Sequence, residues 1–106
     1  MPAGNEKRLA YLVKLVDGGS TDSMALYGLA MEQRACGQNE ASVATFEKLR
    51  AVHPSYVAMY LMCAQVHEIM GNRSAARTWL ELGVAEAKRV GNGHALGELE
   101  SMLSTL

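Results

Sequence analysis

Gly37-Gln38-Asn39-Glu40-Ala41-Ser42 falls on Gly71-Asn72-Arg73-Ser74-Ala75-Ala76 when the chain is shifted by 34 residues. The same shift lays Ala30 on Ala64, Glu47 on Glu81, Phe46 on Leu80 and Leu26 on Tyr60. A repeat of this length is a helix-turn-helix unit that cannot bury its apolar face alone and must stack on neighbours. Stacked helix pairs present a curved binding surface rather than a catalytic pocket. The repeat therefore predicts both the architecture and the mode of action, while leaving the partner unnamed.

Outward from these two glycines, helical faces and stops alternate. Leu9, Leu12, Val13 and Val16 have the i, i+3, i+4, i+7 spacing of one helix face. Asp17 to Asp22 then ends that helix and caps the next. Helices are expected over about 22–36, 39–52, 55–70, 73–90 and 94–104, which with the first makes six. Gly37, Gly71 and Gly91-Asn92-Gly93 act as stops, and Pro54 closes the first repeat by pushing His53 out of helical geometry. Connections this short join antiparallel neighbours. No segment alternates with period two for long enough to make a strand, so the fold class is all-α.

Composition agrees. The chain has 106 residues, of which 49% are apolar but only 6% aromatic, with two prolines, which suits helices packed through Ala, Leu, Val and Met. That length is read as one domain at 6–106, behind a flexible tail at 1–5. The net charge is -1 and the ten basic residues form no stripe, which argues against a nucleic-acid surface. Cys36 and Cys63 lack C-x-x-C spacing and read as reduced thiols, with Cys63 a small core residue. The longest apolar run, Leu9 to Val16, is interrupted by Lys14 and is too short to span a bilayer. A soluble, cytoplasmic protein without a membrane partner is expected.

The pattern resembles the tetratricopeptide repeat, with its signature W-x2-L-G-x2-Y, then A-x3-F, then P. The first repeat, about 23–56, holds Leu26, Leu29, Ala30, Gln33, Ser42, Phe46 and Pro54 at those places. The second, about 57–90, holds Tyr60, Cys63, Ala64, His67, Ala76 and Leu80. Lys88 stands where a second proline would be, so that helix is expected to run on towards Gly91. Leu12 and Leu15 lie one period before Phe46 and Leu49, so the first helix reads as half of a preceding repeat. The last helix, about 94–105, reads as a cap with Glu98 and Glu100 outward and Leu96, Leu99, Met102 and Leu103 along one face. The resemblance implies a right-handed superhelical stack of helix pairs.

It also implies that the first helix of each pair lines a concave groove in which a partner segment lies. The protein-binding residues would then be Met24, Tyr27 and Met31 from the first repeat, with Ala58, Leu61, Gln65 and Glu68 from the second. The Lys, Asn and Arg clamp by which some members hold acidic tails is replaced here by Tyr27, Met31, Ala58 and Met62. A Met-rich apolar surface suits a hydrophobic or amphipathic protein segment instead. The function expected is that of a scaffold or adaptor. The alternative is a self-associating module whose groove closes a homodimer.

Catalytic, cofactor and metal residues are not expected. His53, His67 and His94 have no second ligand at convincing spacing, and His67-Glu68 lacks the second histidine of a zincin helix. Neither a P-loop, nor G-x-S-x-G, nor a dinucleotide fingerprint occurs. Trp79 is expected to pack on the convex side or against the terminal helix. Asn72-Arg73-Ser74 fits a glycosylation sequon but reads more simply as a helix start.

Overall fold

The computed structural model describes residues 4–106. Among them are six helices and their turns, with no strand: α1 Glu6–Asp17, α2 Ser23–Ala35, α3 Asn39–Val52, α4 Ala58–Ile69, α5 Arg73–Val90 and α6 Gly93–Thr105. Residues 1–3 of the expected tail lie outside the described residues. Asn5 is held firmly. Its side-chain oxygen accepts from the amides of Lys7 and Arg8 at 3.0 and 3.1 Å, capping α1.

By packing, the chain divides into two compact units, with the boundary between His53 and Pro54. In the first unit α2 carries α1 on one side and α3 on the other. Leu12 and Val16 bury the inner face of α1, and the Leu12 methyls lie over Gly28 of α2. The Glu32 carboxylate accepts from the Asn5 amide at 3.0 Å and faces the Arg8 guanidinium at 3.4 Å, fastening the start of α1 to α2. On the other side, Phe46 is fully buried and takes the edge of Tyr27, with ring centroids 6.4 Å apart. The Thr45 hydroxyl donates to the Gln33 side-chain oxygen at 2.6 Å, so the buried amide is not left without a partner. His53 Nε2 donates to the Thr21 carbonyl at 2.8 Å and ties the end of α3 to the turn before α2.

The second unit repeats the pair and adds a helix after it. α5 lies against α4 and α6, which also touch each other. Ala64 and Ala76 are fully buried, as are Ala30 and Ser42 at the equivalent places in the first unit. Tyr60 packs on Trp79 with centroids 5.8 Å apart, so the tryptophan is a core residue of the α4–α5 pair. Gly83 marks the closest approach: a Cβ there would stand 2.5 Å from Tyr60 Cβ and 2.9 Å from a Leu99 methyl. Leu99 is the buried anchor of α6, and Asn92 caps that helix through the Ala95 amide at 3.0 Å.

The two stops are built alike. Gly37 and Gly71 have φ of 78° and 80°, the left-handed conformation that glycine adopts without a Cβ clash. After each, the next amide reaches back five residues, Gln38 to the Gln33 carbonyl and Asn72 to the His67 carbonyl, both at 2.8 Å. The helix expected from Ser55 begins instead at Ala58. The Pro54 carbonyl, which a longer helix would engage, receives the Tyr60 hydroxyl. α5 does continue to Val90, giving 18 residues against the 14 of α3, as expected where lysine replaces proline.

Candidate functional site

Leu61 and Gln65, one helical turn apart on α4, face the side of α6 that carries Gly93, Gly97, Ser101 and Met102. Together they line an open groove of about 650 Å³. Its shape follows from the sequence of α6. Leu99 turns inward to Gly83, so the residues two positions either side of it, Gly97 and Ser101, point away from that contact. With glycine and serine there, the floor is close to backbone, and a Cβ added at Gly93 or Gly97 would meet nothing within 4 Å. Leu61 and Met102 supply half-buried apolar walls.

No lysine or arginine lines the groove. His94 and Glu98 stand at its edge as an exposed pair, Nε2 to Oε1 at 3.2 Å. Glu68 is exposed on α4 one turn beyond Gln65. At the far end of the helix the Arg77 guanidinium donates to the Leu106 carbonyl at 3.3 Å, fastening the end of α6 to α5.

The residues expected to bind a partner are therefore placed as follows. Leu61 and Gln65 line the groove, Glu68 flanks it, and Ala58 is exposed at the first turn of α4. Met24, Tyr27 and Met31 belong to α2 in the first unit. Met24 is 77% exposed and Met31 half-buried, whereas Tyr27 lies against Phe46 and so also belongs to the packing of its unit. The α6 wall was not readable in advance, because Gly97 and Ser101 look in sequence like the bland outer face of a cap. Their four-residue spacing with Gly93 was the available signal.

A second apolar surface lies on α1. Leu9, Ala10 and Val13 line a cleft of about 690 Å³ together with Gln38. Round the helix from it, Tyr11 is 63% and Leu15 37% exposed. Leu12 is buried as its place one period before Phe46 suggests, but Leu15 is not buried as Leu49 is. Arg8, Tyr11 and Leu15 share a face at i, i+3, i+7 spacing, and Lys7 and Lys14 run beside it.

Among the described residues no group of three or more His, Cys, Asp or Glu side chains could hold a metal ion. Cys36 is half-buried and Cys63 buried, and neither is in a disulfide. Among the described residues no helix is long and apolar enough to cross a membrane. No protein-family model matches the chain, and no curated protein matches it in sequence.

Proposed function

We propose that the chain is a non-enzymatic protein-interaction module that holds a segment of a protein partner between α4 and α6. The observation that carries this reading is the groove itself: a floor of Gly93, Gly97 and Ser101 with Leu61 and Met102 as walls. A surface with no side chain beyond a hydroxymethyl along its floor admits the backbone or flank of a helix closely. Leucine and methionine beside it offer adaptable apolar contact. The tetratricopeptide-like reading of each helix pair belongs to the same proposal. It is supported by the matching buried positions Ala30 and Ala64, Ser42 and Ala76, and Phe46 and Leu80. An adaptor or scaffold in the cytoplasm is the role this reading assigns, with Met24 and Met31 on α2 as a further apolar contact.

The test is capture of partners by the immobilised chain, comparing it with Leu61→Asp and Met102→Asp. Loss of capture, with helical circular dichroism and melting temperature retained, supports the groove. Capture that survives both substitutions in folded protein overturns it.

A further inference from the structure

We propose that the segment held in the α4–α6 groove is helix α1 of a second copy of the chain, so that copies join head to tail. The proposal rests on the groove reading above and names its occupant. Three independent observations lead to it.

The first is the repeat. Ser42, Thr45 and Leu49 are buried on α3, where that helix lies on α2. One 34-residue period earlier stand Arg8, Tyr11 and Leu15, all exposed. Among the described residues α1 packs on α2 alone, and this face of it is uncovered. α6 packs on α5 and touches α4, and its groove face is likewise uncovered. Each copy offers an open face on α1 and another on α6.

The second is shape. Tyr11 and Leu15 project from α1, whereas α6 presents Gly93, Gly97 and Ser101 with open space above the glycines. Large side chains meet a floor that lacks them. α1 has 12 residues and α6 has 13, so each is about 18–20 Å long at 1.5 Å per residue and they match end to end.

The third is charge. The Tyr11–Leu15 face is bordered by Lys7 and Lys14, while the groove is bordered by Glu68 and Glu98 and has no lysine or arginine in its lining. Opposite signs surround the two surfaces, which orients the encounter and rejects α1 against α1. The contact joins unlike surfaces and leaves a free α1 and a free groove at the ends, so growth continues beyond a dimer or closes as a ring.

Sedimentation velocity on the full chain over a concentration series tests this. The wild type should gain mass beyond a dimer as concentration rises, and less so at high salt, which screens the bordering charges. Tyr11→Asp with Leu15→Asp, and separately Gly97→Gln, should each remain monomeric. Mixed one to one, they should give a species of two chains and nothing larger, because one variant keeps its groove and the other its α1. Lys7→Glu with Lys14→Glu, both exposed, must also lose association if folding of the Asp variant is impaired. A wild type that stays monomeric into the millimolar range overturns the proposal, as does a mixture that stays monomeric or exceeds two chains. If self-association is absent while folded Leu61→Asp still loses partner capture, only the occupant is wrong. If capture survives too, the groove reading fails with it.

Discussion

The hydroxyl of Ser42 donates to the carbonyl oxygen of Ala30 across 2.7 Å, at a point where neither residue exposes any surface. The equivalent pair in the second unit, Ala76 and Ala64, is equally buried and has no hydroxyl. Close approach is therefore required by both pairs, and the hydrogen bond is an addition in one of them. Ser42→Ala should cost about 0.5–1.5 kcal/mol, the net worth of one neutral hydrogen bond. Ser42→Val, which adds bulk where the helices touch, should cost about 1–3 kcal/mol through overpacking. Urea unfolding followed by circular dichroism would rank the two; a valine variant more stable than the alanine variant would contradict the packing described.

Two glycines inside helices should respond oppositely to alanine. At Gly83 the new Cβ would meet Tyr60 Cβ at 2.5 Å and Leu99 at 2.9 Å, so neither α4 nor α6 could keep its place. That overpacking, about 1–3 kcal/mol, outweighs the gain of up to about 1 kcal/mol from replacing helical glycine. At Gly97 nothing lies within 4 Å, and the propensity gain stands alone. Gly83→Ala should lower the melting temperature and Gly97→Ala should raise it.

Gly37→Ala and Gly71→Ala should destabilise by similar amounts, about 1–2 kcal/mol each, because an L side chain pays the left-handed backbone penalty at both. Nothing crowds either position, so the cost is conformational rather than steric with neighbours. Thermal melts of the two variants provide the check, and a several-fold inequality would show that the two stops are not equivalent.

Asn5→Ala should cost about 1 kcal/mol by removing the cap that satisfies the Lys7 and Arg8 amides. The effect should be local. Hydrogen exchange at the first turn of α1 should accelerate, while amides of α4 and α5 keep their protection.

Smallness and left-handed turns were the legible parts of this fold. Ala30, Ser42, Ala64 and Ala76 stand out because few residues suit a crossing of two helices, and Gly37 and Gly71 because few suit a tight stop. Pro54 likewise marks a boundary, one that the packing places between it and His53. Pairwise geometry was not legible. Helical spacing puts Tyr27 on an outer stripe, yet its ring reaches back to Phe46. Gly83 reads as an unfavourable residue within a long helix until Tyr60 and Leu99 are seen against it. For the groove, Leu61 and Gln65 follow from the repeat, whereas Met102 counted as inward only because periodicity cannot tell a core from the edge of one.

The seam between His53 and Pro54 has a consequence during synthesis. A repeating sequence invites a helix to pair with the wrong copy of its partner, since α2 and α4, or α3 and α5, resemble each other. Translation adds roughly 5–20 residues per second, whereas helices that pack on sequence neighbours find each other in microseconds to milliseconds. A nascent chain that has emerged as far as His53 already holds every partner that α1, α2 and α3 use within their unit. The first unit can thus close for seconds before α5 exists to compete for α2. Order of birth, rather than sequence difference, then decides which helix pairs with which.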